Sequence, residues 1–376
     1  MKIGFFANTD WYLYNFRMPL ANYLRENGHV VVMICPQGDY CDLLEKSGFE
    51  VVKVPLNRKS INPFDALLFI GKLRKTYQDH QFDLVHNFTI KSVLLGSIAA
   101  RLSGVESVVN AVAGMGFIFS SDSWKAKILR PIMKVMLMVS HAHPRTRLIL
   151  QNPDDRSDFI NNKLVPKEKI RLILGSGVNT EKFSANGSTF FDTETVRVLI
   201  ATRLLWEKGL KEYVESAKRM SKDGANVEFL LAGSIDEGNP GAVNLEELQR
   251  WENDGYIKYL GHVSDMPKLL NSVDIAVLPS FYREGVPRFL IESAASGLPI
   301  ITTDTPGCRE VVIDRLNGYL VQIKSADDLT DAIKSLVDDP LLRKKMGRES
   351  RRIAQDKFSE ERVFSETTAV YSELSV

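Results

Sequence analysis

Short apolar runs alternate with helical patterns along nearly the whole chain, and this alternation restricts the fold more than any other feature. Three examples, all rich in β-branched residues, are Val30 to Cys35, Ser107 to Val112 and Ile275 to Leu278. Continuous apolar strands separated by helices are typical of a parallel sheet that helices cover on both faces. The rhythm restarts near Val196. We therefore predict an α/β protein with two doubly wound, Rossmann-like domains that face a central cleft, where ligands bind beyond the carboxyl ends of the strands.

The predicted domain boundary lies in the middle of the chain. A length of 376 residues is itself suited to two domains. We place the first domain at residues 1–175 and the second at residues 176–358. Near this boundary, the polar and turn-rich segment 186–195 is a candidate linker.

Bulk composition excludes several classes of protein. The formal net charge of +1 argues against a general nucleic-acid binder, so no nucleic-acid partner is expected. Three cysteines without metal-like spacing indicate reduced thiols in a cytosolic protein. The first residues resemble a strand rather than a signal peptide, and no apolar run reaches the roughly 20 residues that a membrane span needs.

Two carboxylates eight residues apart, Glu284 and Glu292, mark a predicted strand-to-helix loop. Gly285 allows a turn with positive φ, and Pro287 suits the first turn of a helix. Glu284 should lie at the loop, and Glu292 near the electropositive end of the helix, which is a place to hold a ligand that carries hydroxyls and phosphates. The alternative is that Glu284 is a solvated turn residue and Glu292 a surface charge of the helix.

Two cations, Arg203 and Lys208, follow the first predicted strand of the second domain, and Gly209 closes their loop into a helix. Both side chains can converge on one anionic group, with Arg203 offering a planar fork and Lys208 a compact charge. The alternative is a pair of solvated loop cations. The sequence contains no Walker motif and no G-x-G-x-x-G motif, which are phosphate-binding signatures. It also contains no Asp-x-Asp pair. We therefore predict no metal and no cofactor, with side-chain cations and helix N-termini neutralising a bound diphosphate.

Several segments in the second half resemble the family 4 retaining glycosyltransferases, whose architecture of two Rossmann domains is called GT-B. The segments are Arg203 to Gly209, Gly261 to Val263, Glu284 to Glu292 and Pro299 to Glu310. They occur in order and at suitable spacing, and the resemblance extends over nearly the whole chain.

The resemblance implies a role for each matching residue. Arg203 and Lys208 would hold the diphosphate of a nucleotide-sugar donor, Glu292 would accept hydrogen bonds from ribose hydroxyls, and Glu284 would contact hydroxyls of the donor sugar. The remaining donor-binding positions would contribute mainly backbone groups, to the sugar, the phosphate and the base, and are Gly285, Val286, Pro287, His262 and Val263. The resemblance also implies transfer with retention at the anomeric carbon, and a final segment, 359–376, that packs back on the first domain.

The acceptor-binding half of the site is less clear from the residues. Arg17 is a candidate for contact with an acceptor phosphate, and the alternative is a solvated charge in the first turn of a helix. His86, at the end of a predicted strand, is a second candidate, although a structural histidine is the favoured interpretation. The stretch Gly114 to Phe117 resembles relatives that extend lipid-linked oligosaccharides.

A basic amphipathic helix is predicted between Trp124 and Val139. Such a helix can lie on an anionic membrane surface. The alternative is a core helix with a solvated basic edge. The cations assigned to the membrane surface are Lys125, Lys127, Arg130 and Lys134.

Together these features predict a cytoplasmic glycosyltransferase that is peripheral on the inner face of the cell membrane. It would move a sugar, an N-acetylhexosamine, from a UDP-sugar to a polyprenyl-diphosphate-linked saccharide in surface polysaccharide or glycan biosynthesis. Alternatives are a non-hydrolysing UDP-sugar epimerase, a transferase using another nucleotide-hexose or a soluble acceptor, and a degenerate sugar-binding or scaffold protein.

Overall fold

The chain forms two compact units in a computed structural model. The first comprises Met1–Ser176 and Glu360–Val376, and the second Gly177–Ser359. The structure describes residues 1–57, 62–114, 124–184, 195–236 and 238–374, with side chains left undescribed at 124–129. The predicted linker at 186–195 and the Gly114 to Phe117 stretch fall almost entirely outside these ranges.

A seven-stranded parallel sheet forms the centre of the first unit, in the order β3-β2-β1-β4-β5-β6-β7. This order, with β1 at the centre and a crossover to β4, is that of a Rossmann domain. The strands are β1 Lys2–Ala7, β2 Val30–Cys35, β3 Glu50–Lys53, β4 Leu84–Phe88, β5 Ser107–Val112, β6 Thr146–Leu150 and β7 Ile170–Leu172.

The second unit repeats this arrangement with a six-stranded parallel sheet, in the order β10-β9-β8-β11-β12-β13. Here β8 takes the central place that β1 has in the first unit. The strands are β8 Val196–Ala201, β9 Val227–Ala232, β10 Lys258–Tyr259, β11 Ile275–Leu278, β12 Ile300–Thr303 and β13 Gly318–Val321. The prediction of two doubly wound domains is confirmed.

Helices connect successive strands in both units. Those of the first unit are α1 Asp10–Tyr12, a π-helical turn Leu13–Arg17, α2 Met18–Glu26, α3 Cys41–Lys46, α4 Pro63–His80, α5 Ile90–Ser103, α6 Trp124–Ser140, α7 Pro153–Asn161 and a 3₁₀ turn Lys167–Lys169. Those of the second are a 3₁₀ turn Trp206–Lys208, α8 Leu210–Lys222, α9 Leu245–Asn253, α10 Met266–Leu270, α11 Arg288–Ala295, α12 Ala326–Asp338 and α13 Pro340–Phe358. Among the described residues, no helix is long and apolar enough to span a bilayer.

The central strands are apolar at nearly every position because both faces of each sheet are covered. In β1, Phe5 belongs to a buried cluster on one face of the sheet, while Phe6 belongs to a separate cluster on the other face. Successive side chains of a strand point to opposite faces, so an uninterrupted apolar run fills two cores at once.

The last helix, α14 Glu360–Ser372, belongs to the first unit although the chain has by then passed through the second. Val363, Phe364 and Tyr371 lie in the same buried cluster as β1. Glu373 forms ion pairs with Arg147 and Arg171 of β6 and β7, at 2.8 and 2.6 Å. The C-terminal segment is thus part of the core of the first unit.

Several elements were not predicted from the sequence, among them α1, α3, α7 and β13. The strand β13 begins with Gly318, at which a Cβ atom would lie 1.7 Å from the carbonyl oxygen of Ile300 in the neighbouring strand. The close approach of the two strands requires glycine there, and a glycine at a strand end resembles a loop when only the sequence is read.

We expect Phe364→Ala to destabilise the first unit by about 3 kcal/mol, since it removes a buried aromatic ring from the core. Phe364 is 6% exposed, and its ring lies 5.3 Å from that of Tyr23 in α2. Hydrogen exchange of β1 and β4 should accelerate in the variant. Leu341→Ala serves as a control because Leu341, in the second unit, is 79% exposed. Equal exchange rates in the two variants would contradict the assignment of α14 to this core.

Candidate active site

The candidate site lies at the carboxyl edge of the second sheet, where the loops that follow β8, β11 and β12 meet. Parallel strands bring these three loops to the same edge. The loops span residues 202–209, 279–287 and 304–309.

A largely buried ion pair joins the first two loops. Lys208 Nζ contacts Glu284 Oε1, and the two side chains are only 8% and 16% exposed. The hydroxyl of Ser280 lies 3.1 Å from the same carboxylate oxygen. Removing one partner of such a pair would leave an uncompensated buried charge, at a cost of about 3–5 kcal/mol.

Close backbone approach fixes the geometry of this pair. Gly209 has φ +78°, and a Cβ atom there would lie 2.3 Å from the carbonyl oxygen of Pro279. The amide of Phe281 donates a 3.0 Å hydrogen bond to the carbonyl of Glu207. The 3₁₀ turn that carries Lys208 is therefore held directly against the loop that carries Glu284.

The third loop supports Glu284 from another side. Gly307 has φ +86°, and a Cβ atom at this position would lie 1.9 Å from the carbonyl oxygen of Gly285. The amide of Glu284 donates a 3.2 Å hydrogen bond to the carbonyl of Pro306. The segment from Glu284 to Gly285 is thus positioned by backbone contacts on both sides.

Arg203 is placed differently from Lys208. Its Nη1 lies 2.8 Å from Asp236 Oδ2 in the loop after β9, and its side chain is 52% exposed. The two cations thus pair with different carboxylates. Their convergence on one anion stays a prediction, to be tested with a bound ligand.

Glu207 links the two cations electrostatically. Burial raises the pKa of its carboxyl, Lys208 and Arg203 oppose the rise, and Glu284 adds to it. The carboxyl of Glu207 is therefore close enough to Lys208, Arg203 and Glu284 to be affected by the charge of each.

Cys308, in the third loop, is the next residue to consider as a possible nucleophile. Burial raises the pKa of its thiol to about 11, and the nearby Glu284 carboxylate adds to the rise. The thiolate is the nucleophilic form of cysteine, so this fully buried thiol is excluded as a nucleophile at neutral pH.

Glu292 lies in α11, whose N-cap is Pro287. Its carboxylate accepts a 2.6 Å hydrogen bond from Arg288 Nε, one turn earlier in the helix. Glu292 is 7% exposed, and burial raises the pKa of its carboxyl above the ordinary value of 4.5, while Arg288 and Lys182 oppose the rise. It is therefore not the solvated surface charge of the alternative interpretation.

The other predicted donor-binding positions lie on neighbouring loops. Val286, which follows Gly285, is buried. Pro287 has an extended backbone conformation and is the N-cap of α11. His262 is exposed and Val263 half-buried in the loop after β10. That loop is tied to the end of β9 by a 2.8 Å hydrogen bond from the amide of Gly233 to the carbonyl of Gly261.

The two acceptor candidates lie together in the first unit. Arg17 ends the π-helical turn and is 6% exposed, so the alternative of a solvated charge is wrong. His86, in β4, is 1% exposed, and its Nδ1 lies 2.7 Å from the hydroxyl of Tyr371 in α14. Burial lowers the pKa of His86 well below its ordinary value, and Arg17 lowers it further, so the imidazole is neutral.

Of the four cations predicted to face a membrane, two have described side chains. Arg130 is half-buried and Lys134 is exposed in α6, whereas Lys125 and Lys127 lie among the residues without described side chains.

Sequence reasoning missed three residues that the structure brings to the candidate site of the second unit, namely Lys182, Glu207 and Asp236. Glu207 had a usable signal, because it stands between the two selected cations in Arg203 to Lys208. Lys182 and Asp236 had no usable sequence signal, since their proximity to Glu292 and Arg203 depends on contacts between distant loops.

Two family models cover most of the chain. Residues 2–151 match the model "Glycosyl transferase 4-like", and residues 182–353 match "Glycosyl transferases group 1". The matched ranges fall in the first and second units, respectively.

Solved structures with the same fold span the whole chain. A glycosyltransferase from Rickettsia africae superposes with a TM-score of 0.79 at 19% identity, covering 99% of this chain and 98% of that one. Anabaena HepE in complex with UDP gives a TM-score of 0.80 at 18% identity, covering 99% and 100%. The fold is therefore GT-B.

Two curated relatives are more similar in sequence. A Campylobacter jejuni N,N'-diacetylbacillosaminyl-diphospho-undecaprenol alpha-1,3-N-acetylgalactosaminyltransferase is 32% identical over 353 residues, which are 91% of each chain. An Escherichia coli UDP-Gal:alpha-D-GlcNAc-diphosphoundecaprenol alpha-1,3-galactosyltransferase is 29% identical over 82% of this chain and 80% of its own length. The chain belongs to the family 4 glycosyltransferases, as its sequence motifs predicted.

The buried carboxyl of Glu292 yields a prediction on stability. Because its pKa is raised in the folded state, its charged form opposes folding at neutral pH, and this cost disappears as the pH falls toward 4.5. We expect Glu292→Gln to be at least as stable as the wild type at pH 7.5, with the advantage shrinking as the pH falls. Urea unfolding at several pH values measures this. The prediction would be contradicted if the free energy of unfolding of Glu292→Gln, minus that of the wild type, were lower at pH 7.5 than at pH 5.

Proposed function

We propose that this chain is a retaining glycosyltransferase that moves an N-acetylhexosamine from a UDP-sugar onto a polyprenyl-diphosphate-linked saccharide. The observation that carries the proposal is the relative from C. jejuni, which aligns over 91% of both chains and whose name specifies a diphospho-undecaprenol acceptor. The relative from E. coli has a UDP-linked donor and a diphosphoundecaprenol acceptor in its name. The complex of Anabaena HepE with UDP supports the choice of nucleotide.

In the proposed reaction, the bond between the anomeric carbon and the diphosphate oxygen breaks, and a bond to an acceptor hydroxyl oxygen forms on the same face. The leaving diphosphate takes the proton of that hydroxyl. Lys208 and Arg203 stabilise the charge that develops on the diphosphate. This assignment agrees with a site in which Cys308 is protonated and Glu284 is held by Lys208.

The Lys208–Glu284 pair gives Glu284 a defined task. With no donor bound, the carboxylate compensates Lys208, and Ser280 provides a further hydrogen-bonding group. A bound diphosphate shares Lys208, so an oxygen of Glu284 becomes available for hydroxyls of the donor sugar. Glu292, held by Arg288, accepts hydrogen bonds from the ribose.

The remaining donor contacts come from backbone. Gly285, Val286 and Pro287 precede α11, so their main-chain groups lie beside a helix N-terminus that favours negative charge. Main-chain groups around His262 and Val263 face the base. No cofactor takes part in this proposal, and the two cations replace a metal at the diphosphate.

The epimerase alternative has lost support, since both relatives are named as transferases. A scaffold role is likewise disfavoured by the intact set of Arg203, Lys208, Glu284 and Glu292.

A panel of UDP-sugars with a polyprenyl-diphosphate-linked saccharide acceptor tests the function. We expect a UDP-N-acetylhexosamine to add one sugar to the acceptor, with the anomeric configuration retained and the rate unchanged in EDTA. Mass spectrometry detects the product, and NMR reads its configuration. An epimerised UDP-sugar formed without acceptor, or the absence of any product, would refute the proposal. Loss of activity in EDTA that a divalent metal restores would refute the metal-independent part.

Variants separate donor binding from folding in the same assay. Glu292→Gln should weaken donor affinity by about tenfold or more, since a hydrogen bond to a charged group contributes about 1.5–3 kcal/mol. Glu246→Gln, an exposed position in α9, is the matched control and should bind the donor normally. Equal donor affinity in the two variants would contradict the ribose assignment.

We further propose that the enzyme is peripheral on the inner face of the cell membrane. Four apolar side chains of α6 are 45–59% exposed beside Lys134, namely Ile132, Val135, Met138 and Val139. A second exposed group, 66–74% exposed, lies at the start of α4, namely Phe64, Leu67 and Leu68. Helix α5 contacts both helices, so the two apolar stripes belong to the same layer of the first unit. Apolar stripes beside cations are typical of helices that lie in a membrane interface.

Two sets of substitutions test membrane binding. Neutralising Lys125, Lys127 and Arg130 together should weaken binding to phosphatidylglycerol vesicles, because each cation near an anionic surface contributes about 1 kcal/mol. Val135→Asp with Phe64→Asp should weaken it as well, by removing apolar contact. Vesicle sedimentation measures both. Leu341→Asp, at an exposed position of the second unit, is the control. Unaltered sedimentation of both sets would refute the proposal.

A further inference from the structure

Arg17 is a buried cation enclosed by aromatic rings. The central carbon of its guanidinium lies 4.5 Å from the ring centroid of Phe88 and 5.3 Å from that of Tyr12. Its Nη2 donates a 2.7 Å hydrogen bond to the Tyr12 hydroxyl. The first strand and β4 place the group at the carboxyl edge of the first sheet, where Ala7 pairs with Phe88.

This cation has no anionic counterpart within the part of the chain that the structure describes. Among the described residues, the guanidinium of Arg17 donates its hydrogen bond to the neutral hydroxyl of Tyr12, and its Nε has no hydrogen-bond partner. Asp10, the acid of α1, accepts hydrogen bonds from the amides of Trp11 and Tyr40, at 2.9 and 2.7 Å. A buried charge is expected to be paired, and aromatic rings offset only part of its desolvation cost.

A second buried polar atom faces the same region. His86 Nε2 has no hydrogen-bond partner among the described residues, while its Nδ1 is engaged by Tyr371. The ring of His86 lies 4.0 Å from that of Phe88, centroid to centroid, and so shares the aromatic surface over which Arg17 lies. Arg17 and His86 thus place two nitrogens without hydrogen-bond partners among the described residues in one small region.

The backbone at this edge adds a further contribution. Helix α5 begins directly after β4, so its N-terminus lies next to Phe88. Its N-cap, Thr89, has φ 73° and ψ 149°, a conformation that costs energy for a residue with a side chain. A helix N-terminus favours negative charge, so three independent features at this edge are suited to the same ligand chemistry.

We propose that Arg17, His86 and the N-terminus of α5 form a phosphate subsite, and that it receives the diphosphate of the lipid-linked acceptor. The assignment of the acceptor diphosphate to this subsite rests on the proposed function. The guanidinium supplies the countercharge and the planar donors, and the neutral imidazole supplies a hydrogen bond. Arg17 is thus a binding residue for the acceptor, separate in its task from Arg203 and Lys208, which bind the donor.

A direct binding experiment tests the subsite without reference to catalysis. Inorganic diphosphate is titrated by calorimetry into the full chain saturated with UDP, so that the donor site is occupied. We expect the wild type to bind diphosphate, Arg17→Met to lose at least tenfold in affinity, and Arg17→Lys to lie between them. Arg25→Met is the matched control, since Arg25 also lies over an aromatic ring, that of Phe49, 4.6 Å from its centroid. Equal binding by the Arg17 and Arg25 variants would overturn the subsite.

A kinetic experiment tests which phosphate the subsite receives. The acceptor saccharide is offered either on polyprenyl diphosphate or on a neutral alkyl chain. We expect Arg17→Met to raise KM at least tenfold for the diphosphate acceptor and to leave KM for the neutral acceptor, and the affinity for UDP, unchanged. An equal loss with both acceptors would show a structural role and overturn the inference.

These outcomes separate the subsite from the proposed function. If the wild type transfers no sugar to any lipid-linked acceptor but binds diphosphate through Arg17, the proposed function fails and the phosphate subsite stands. If transfer occurs and the Arg17 variants retain normal KM and normal diphosphate binding, the subsite fails and the function stands.

Discussion

The ion pair between Lys208 and Glu284 is the interaction on which the candidate active site depends. It joins the loop after β8 to the loop after β11, and both side chains are largely removed from water. Such a pair contributes little net stability, because desolvation offsets most of the attraction. In the function that we propose, the pair holds Lys208 beside a countercharge that a phosphate-bearing ligand can partly replace. Gly209 and Gly307 make this possible by letting three backbone segments approach more closely than side chains would permit.

Buried charge recurs at the carboxyl edges of both sheets. In the second unit, burial raises the pKa of Glu292, so folding the chain requires work to place that carboxylate where it lies. In the first unit, Arg17 is buried among aromatic rings, and no described acid forms an ion pair with it. Neither arrangement serves stability, because apolar residues of similar size would avoid the desolvation cost. Both are explained if the charge is kept for a ligand that arrives after folding.

Much of this fold could be predicted from the sequence, because parallel strands buried on both faces leave a distinct pattern. The runs at β2, β5 and β11 were predicted with the bounds that the structure has. The loop with Glu284 and Glu292 was recognisable because its glycine and proline mark a strand-to-helix turn. The carboxylates that pair with the cations could not be recognised, since the pairing of Arg203 with Asp236 depends on how two distant loops meet. Burial of Arg17 was equally hidden, because a π-helical turn changes which side of the chain faces the sheet.

The helix α14 has a consequence for the order in which the chain acquires its structure. Residues Gly177–Ser359 are continuous, so the second unit has all its parts once that stretch has left the ribosome. The first unit lacks α14 until residues 360–372 have been synthesised, and α14 carries Tyr371, whose hydroxyl lies 2.7 Å from His86 Nδ1 in β4. The first unit is therefore completed after the second, and its apolar cluster around β1 is incomplete while residues 177–359 are translated. A nascent chain of this kind exposes part of an apolar cluster for longer than a protein whose domains are contiguous.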